Sequence, residues 1–570
     1  MLKISEIFDE SFYLQSHPDV AAAVENKAFE TAIAHFIEYG QFEGRDPSVF
    51  FNAQYYLQQN PDVAAAVQDT AGTQNPLTAI AHFIKSGQFE GRHPNPNCDT
   101  NSPSQKDPDV ATDILATAVE DDLQIGQDQK KQPKPTSHPL DPLDSKEIKA
   151  AVRILRQTQN LCDATLFPRI FLQEPDKNEV LSFELGGGKP KRNVFVSVLD
   201  VQNNKVYEAT VNLSDRKVVS WAEIPGVQPA LLDSEFDILS DVVKADPRWQ
   251  AAMTARGITN FEDVIVDGWA PGALTPEETA SGARLIRGLS YLRGEDSNFY
   301  ARPIEGVLAT VNLNTQSVSN FIDTGVVPIP DGNFGLDPES VGTLRPELPP
   351  LVVEQPEGVG FKLKDNQVSW ENWQFRYSID PRSGLVLHQV GYNDRGQVRP
   401  ILYRASLSEM AVPYADASET WTFRNAFDVG EYDLGKLSNS LEAGQHVPEN
   451  SVLLDAVFAD EFGKPYIAPD VVGLYERDSG VLWQHYDYDT DTTELRRGRE
   501  LVMSSIVTIG NYDYGLDWIF HQDGSIEVEA HLTGILLNRG TSATNVDELG
   551  EGENSGALVA PNILAPSHQH

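Results

Sequence analysis

From Val359 to His570 the chain is a run of short segments in which apolar and polar residues alternate, broken by DPRSG, NDRG, EFGKP and HQDGS. Alternation with a period of two marks half-buried strands, and many strands at close spacing argue for a large antiparallel sandwich. The last residues fall inside a β region that reads as unfinished. Two units of a different plan precede it. In the first, Asp144 and Glu147 make a capping-box pattern ahead of Ile148, Val152 and Leu155, which share one helix face. Segments 193–201 and 205–224 then read as a strand and a hairpin. In the second, Phe236, Leu239, Val242 and Val243 mark a helix and residues 306–323 a hairpin. Neither unit holds a constellation that looks catalytic.

The first hundred residues contain a tandem repeat. FYLQSHPDVAAAV, starting at Phe12, returns as YYLQQNPDVAAAV at Tyr55, and TAIAHFIEYGQFEGRDP at Thr31 returns as TAIAHFIKSGQFEGRHP at Thr78. Each copy reads as two short helices, with Gly40 and Gly87 where C-caps are expected. Ile33, Phe36 and Ile37 form an apolar stripe that Ile80, Phe83 and Ile84 repeat, while His35 and His82 at equivalent places are read as packing or capping residues. The repeat resembles one appended to various bacterial, notably cyanobacterial, proteins, and an accessory interaction or targeting role is expected of it. The expected fold class is thus multidomain. It comprises a helical repeat module (1–95), a flexible linker rich in Pro, Asn, Ser, Gln and Asp (96–137), two α+β domains (138–228 and 229–335), a Pro-rich connector (336–358) and an incomplete antiparallel β-sandwich (359–570).

Charge and cysteine content exclude several functions. With 84 acidic against 44 basic side chains the formal net charge is −40, and no basic stripe is present, so nucleic-acid binding is not expected. Such a surface suits cationic partners, protonated amines included, although solubility alone accounts for the charge. No run of about eighteen apolar residues is present, so no membrane span is expected. The opening MLKISEIFDESF lacks an apolar core, so no ordinary secretory signal is visible and a cytoplasmic location is the default. Cys98 and Cys162 are the only cysteines, too few for a disulfide scaffold or a Cys-type zinc site.

Phosphate-loop, dinucleotide, G-x-S-x-G and H-E-x-x-H motifs are absent. Asp487, Asp489 and Asp491 have the spacing of a calcium loop, but Thr492 and Gly498 stand where an EF-hand needs Gly and Glu. They read as a solvated acidic loop, and Ca2+ is not supported.

What remains is a constellation. TIGNYDYGLDWIFHQDGSIEVEAHLTGIL, starting at Thr508, places Tyr512 in a T-x-x-N-Y-D frame; His568-Gln569-His570 follows downstream, and RPILYRASLSEMAVPYADASETWTFRNAFDVGEYDLG lies upstream, from Arg399. In this order the three segments closely resemble copper amine oxidases, and the combination is specific where each motif alone is weak. WENWQFRYSIDPRSGLVLHQVGYNDRG, from Trp370, resembles the start of that family's catalytic domain, and the two α+β units, with VDGWAPG at Val266, resemble its preceding small domains, N2 and N3. The resemblance covers residues 138–570.

The resemblance implies oxidative deamination of a primary amine by O2 and water to aldehyde, ammonia and hydrogen peroxide. It implies that Tyr512 is self-processed to topaquinone beside Cu(II), the quinone carbonyl then condensing with the amine as a Schiff base. The copper ligands would be His568 and His570, which as residues i and i+2 of a strand point the same way. Imidazoles suit Cu(II). By the same resemblance Asp428 is the base that removes the substrate's α-proton, and its pKa must be raised to work at neutral pH. Tyr414 hydrogen-bonds the quinone oxygen, and Asn511 and Asp513 fix the modified ring; Asp416, nearer to Tyr414, reads as a loop residue. Ala426 stands where relatives often carry an aromatic gate, which implies a wider channel mouth and tolerance of arylalkyl amines. The family's third copper His and the rest of its sandwich have no counterpart before His570, and His485, His521 and His531 do not match that ligand's place. The expectation is that this chain is the larger, N-terminal part of such an enzyme, its C-terminal segment either truncated or encoded separately. The alternative is a catalytically incomplete remnant acting as a binding protein. Relatives are usually homodimers.

Overall fold

The computed structural model of the chain describes residues 8, 10–26, 29, 31–48, 51–70, 77–87 and 138–570, apart from 163, 297, 347, 350, 551, 552 and 554. The linker expected at 96–137 lies outside the described residues, as do residues 88–95 of the repeat module. The chain divides into two compact units, Met1–Pro135 with Cys162–Ala164 and Thr136–Leu161 with Thr165–His570.

In the N-terminal unit each repeat copy is a set of short helices. α1 (Glu10–Ser16), α2 (Pro18–Glu25) and α3 (Ala32–His35), the last running on as a π-turn over Phe36–Gly40, are matched by α4 (Ala53–Gln59), α5 (Pro61–Thr70) and α6 (Ala79–His82), which continues over Phe83–Gly87. Thr31 and Thr78 cap α3 and α6 by accepting the N–H of Ala34 and Ala81. The two histidines pack as expected: His35 Nδ1 meets the Tyr13 hydroxyl at 3.1 Å, and His82 Nδ1 meets that of Tyr56 at 3.0 Å. Gly40 is not a left-handed cap. It lies buried inside the π-turn, where an added Cβ would fall 2.1 Å from the Tyr13 hydroxyl, so close packing demands the glycine. The two apolar stripes also differ, since Ile37 is exposed where Ile84 is buried.

The second unit begins with α7 (Ser145–Gln159). Asp144 Oδ1 accepts the Glu147 N–H at 2.8 Å while Glu147 Oε2 accepts that of Asp144 at 3.1 Å, closing the expected capping box. Ile148, Val152 and Leu155 bury against Val194, Val196 and Val198. Those residues alternate along the second strand of an antiparallel sheet in the order β1 (Leu166–Gln173), β2 (Asn193–Asp200), β3 (Lys205–Asn212), β4 (Lys217–Glu223), with α8 (Lys177–Glu184) linking β1 to β2. The plan recurs. α9 (Asp233–Ala245) and α10 (Pro247–Ala255) pack on β5 (Val264–Trp269), β6 (Leu285–Leu292), β7 (Pro303–Asn312) and β8 (Ser317–Asp323), with α11 (Pro276–Ser281) between β5 and β6.

Both sheets share a clamp. Arg192, just before β2, reaches Glu147 at the start of α7 through two bonds of 2.8 Å, and also donates to the carbonyls of Pro139 and Pro142. Arg284, just before β6, grips Glu235 at the start of α9 the same way and donates to the carbonyls of Pro229 and Ala230. Fork-to-fork pairing satisfies both charges while tying a helix start to the second strand of its sheet.

After α12 (Pro338–Val341) come two five-stranded antiparallel sheets. One runs β13-β12-β11-β10-β9 and contains β9 (Lys362–Lys364), β10 (Gln367–Trp370), β11 (Trp373–Asp380), β12 (Gly384–Asp394) and β13 (Gln397–Ala405). The other runs in sequence order through β16 (Val452–Ala459), β17 (Pro465–Asp487), β18 (Thr492–Ile509), β19 (Tyr512–His521) and β20 (Ile526–Gly534). They share one apolar core in which Trp373, Phe375 and Leu387 meet Phe458, Leu474, Met503 and Phe520. Between them in sequence lie the paired β14 (Ala411–Pro413) and β15 (Asn425–Phe427), followed by α13 (Asp428–Tyr432). A three-stranded sheet of β21 (Arg539–Gly540), β22 (Gly556–Ala560) and β23 (Ile563–Pro566) closes the chain. Asp487 turns the β17–β18 hairpin by accepting the N–H groups of Asp489 and Thr490. No helix among the described residues is long and apolar enough to cross a membrane.

Arg284 and Glu235 are both buried. Arg284→Ala leaves the Glu235 charge unpaired in the core and should lower stability by about 3–5 kcal/mol. That is read as a fall in the urea midpoint of the variant against wild type.

Candidate active site

Tyr512 opens β19 immediately after a two-residue loop, Gly510–Asn511, that joins it to β18. Gly510 has φ +57° at the first loop position, where a tight hairpin favours glycine. The flanking residues of the motif hold this turn. Asn511 Nδ2 donates to the Ile535 carbonyl at 2.5 Å, the Ile535 N–H donates back to Asn511 O at 2.7 Å, and Asp513 Oδ1 accepts from Thr508 Oγ1 at 2.6 Å. Opposite Tyr512 in the ladder stands Gly534, at φ +106°, where a Cβ would come within 2.8 Å of the Tyr512 Cα. Only glycine lets the two backbones lie this close.

The last residues come to the same place. Ala415 N–H donates to the Ser567 carbonyl and Gln569 N–H to that of Pro413, so the chain end runs beside the segment carrying Tyr414. His568 Nε2 then lies 2.8 Å from the Tyr512 hydroxyl, and His570 Nδ1 lies 3.1 Å from the Tyr514 hydroxyl. The two imidazoles stand edge to face with centroids 5.0 Å apart. Tyr414 donates to the Tyr512 hydroxyl at the long distance of 3.5 Å. Burial, reinforced by His568, holds His570 below the ordinary imidazole value, which favours the neutral form that ligates metals.

Asp428 is buried at the start of α13. Desolvation lifts its pKa from the ordinary 3.8 to about 6, against the lowering effect of the Tyr514 hydroxyl, which donates to Oδ2 at 2.9 Å. Glu409 Oε1 accepts the N–H groups of Val429 and Gly430, fixing the turn that carries it. Asp428, Tyr414, Ala426, Tyr512 and Tyr514 line one cavity of about 190 Å³. Asp416 does not line it; buried, it is held by Arg539 at 2.6 Å and by the Ser418 N–H, as befits a loop residue. The structure therefore brings together Asp428, Tyr414, Ala426, Tyr512, His568 and His570, with Asn511 and Asp513 joined to them through the backbone of Tyr512.

Three family models match this chain: the copper amine oxidase N2 domain over residues 138–224, the N3 domain over 234–334 and the enzyme domain over 362–570. Among curated relatives, a primary amine oxidase of Arthrobacter sp. (strain P1) is 36% identical over 436 residues, covering 76% of this chain and 66% of its own length. A histamine oxidase of Arthrobacter globiformis is 37% identical over 440 residues, covering 76% and 62%. The chain belongs to the copper amine oxidase family. A copper-containing benzylamine oxidase from Hansenula polymorpha superposes with a TM-score of 0.68 at 25% identity, covering 76% of this chain and 69% of that one. The chain spans somewhat less than two thirds of the length of these curated relatives.

Copper's donor set can be tested against the residues present. His568 and His570 fit as two ligands: neighbouring imidazoles of one extended segment, beside the ring of Tyr512, whose centroid lies 5.4 Å and 4.9 Å from theirs. Among the described residues no third His, Cys or carboxylate joins them. The one such group of three is Asp517, Glu529 and His531 on β19 and β20. His521 faces Glu500 and Glu527 instead, and His485 lies on the exposed β17–β18 hairpin.

Several cavity residues escaped the reading of the sequence. Tyr514 is two residues from Tyr512 on the same strand face, the very spacing used for the histidines, and that periodicity would have found it. The second α+β unit, in which nothing catalytic was expected, supplies Leu231, Asp233, Phe236, Asp267 and Trp269 to the cavity wall. No local pattern marks them, because their role arises only when β5 meets β14 and β19.

Asp267 is lifted by desolvation from the ordinary 3.8 to about 6. Its unfolded-state value is the lower one, so the penalty is absent below pH 4, develops between about pH 4 and 6, and is full above pH 6. Asp267→Asn should therefore raise stability by about 2 kcal/mol at pH 7.5 and leave it nearly unchanged at pH 4. Denaturant titrations at the two pH values provide the check.

Proposed function

We propose that residues 138–570 carry out the oxidation of a primary amine by O2 to an aldehyde, with release of ammonia and hydrogen peroxide. Residues 138–228 and 229–335 serve as the N2- and N3-like domains, 359–570 as the catalytic sandwich, and 1–95 as an accessory module. The observation that carries the reading is the 2.8 Å contact between the Tyr512 hydroxyl and His568, made by a ring that also walls the cavity holding Asp428. His568 and His570 would hold copper, and Tyr512 would be the precursor of topaquinone. The copper-adjacent quinone, once formed, supplies the electrophile and the electron sink that no unmodified side chain offers.

The chain's own residues do the rest. A primary amine binds in the cavity that Ala426 and Trp269 help to line, and the aromatic wall displaces water from it. Asp428, desolvated and with a pKa of about 6, is ionised at neutral pH yet basic enough to take the proton from the carbon bearing nitrogen. Tyr514 occupies one carboxylate oxygen and leaves the other for that proton. Tyr414 orients the Tyr512 ring through its oxygen, while Asn511 and Asp513 keep the turn from shifting the ring out of line. Ala426, small and buried on β15, leaves the cavity mouth open to arylalkyl amines.

The direct test is incubation of the metal-free chain with Cu(II) and O2, followed by an alkaline nitroblue tetrazolium stain and mass measurement of the peptide containing Tyr512. A mass gain and a positive stain are expected; an unmodified Tyr512 removes the enzymatic reading. Asp428→Asn should retain the stain and lose about 10³-fold or more in kcat/KM. The acid limb of kcat/KM should fall near pH 6, and Tyr514→Phe, which removes a bond that lowers the Asp428 pKa, should move it upward.

A further inference from the structure

The cavity in front of Tyr512 holds a second carboxylate that the chemistry above leaves idle. Asp267 and Trp269 sit two residues apart on β5 and both line the cavity. Trp269 Nε1 donates to Asp267 Oδ2 at 2.8 Å, and no described residue donates to Oδ1. Nor does any described Lys, Arg or His come within 4.0 Å of the carboxylate. Arg424 acts on it through space, but its guanidinium is buried flat on Trp421, 3.3 Å from the ring centroid. Half-buried Asp267 thus has one oxygen held by Trp269 and, among the described residues, no ion pair, which leaves the other oxygen to take a cationic donor from the cavity.

From this we infer that Asp267 anchors a second cationic group, so that the preferred substrates are α,ω-diamines or amines with a positive charge at the far end. The inference rests on Tyr512 and Asp428 being the reacting end of the site. Each of the two carboxylates has one oxygen engaged by an aromatic donor and one left over. Leu231, Phe236, Val412 and Leu437 line the same cavity and offer apolar surface that suits a methylene chain. Asp233, exposed at the start of α9, adds negative potential to the same cavity. The competing account makes Asp267 a distant counter-charge for Arg424, and that account predicts no preference among ligands.

The test uses the full unmodified chain and calorimetric binding of 1,4-diaminobutane, 1,5-diaminopentane and 1,6-diaminohexane against butylamine, pentylamine and hexylamine. The expected result is a diamine preference of about tenfold or more at one chain length. In Asp267→Asn the ratio should fall to near one, and Asp267→Glu, which keeps the charge on a longer arm, should retain the preference with the optimum at a shorter diamine. Equal affinity for both series at every length in the wild type, or an unchanged ratio in Asp267→Asn, overturns the inference. Because binding is read without turnover, an unmodified Tyr512 after copper and O2 would remove the oxidase reading while a retained diamine preference would keep the subsite.

Discussion

Two pairs of side chains meeting in register are what the site depends on. Tyr512 and Tyr514 project from one face of β19, His568 and His570 from one side of the terminal segment, and hydroxyl meets imidazole twice, at 2.8 and 3.1 Å. Period-two geometry makes this all or nothing, since a slip of one residue on either partner turns both of its side chains away. The register is correspondingly over-determined. The tight turn at Gly510, the close approach of Gly534 and the reciprocal bonds between Asn511 and Ile535 fix the tyrosines, while Pro413 and Ala415 fix the histidines.

The same crowding that sets the geometry also sets the charges. Asp428, Glu431 and Asp267 all lie where water is largely excluded, and burial lifts them to about 6, 7 and 6 respectively. At neutral pH each weakens the fold, so the unit needs stabilisation elsewhere. The two Arg–Glu clamps and the shared apolar core of the large sheets are placed to supply it, the second clamp gripping the same start of α9 that walls the cavity. Glu409 shows how finely this is arranged, because its carboxylate caps the first turn of α13 and by its charge also helps keep Asp428 basic.

Local rules made much of the scaffold legible. The Asp144–Glu147 box, the hairpins after 193 and 306 and the alternation beyond Val359 each follow from neighbours a few residues apart, and the resemblance of three segments, in order, to the family pointed to Tyr512, Asp428 and the histidine pair. What stayed hidden depends on distance along the chain. Arg192 and Arg284 find their glutamates 45 and 49 residues away, and nothing near either arginine announces a clamp. Gly40 misled because a glycine after an apolar stripe looks like a cap, whereas its lack of a side chain serves the Tyr13 ring packed across it. Asp267 and Trp269 sat inside a segment matched to the family, yet their position in the cavity wall is a property of how two modules close on each other.

That closure divides labour between parts of the fold. The hydrogen-bonded groups around Tyr512 belong to β19, α13 and the chain end, whose register tolerates no slip, while much of the facing cavity wall comes from β5 and the start of α9. Gly268 makes the arrangement compact: a Cβ there would fall 2.5 Å from the Phe236 ring, so the helix presses directly on the strand between the two cavity residues. Asp267 and Phe236 shape the cavity wall from that side, whereas Trp269 also packs edge to face on Tyr414, the donor to the Tyr512 hydroxyl. The cavity wall and the ring of Tyr512 are thus built by different modules, one held by helix-on-strand packing and the other by strand register.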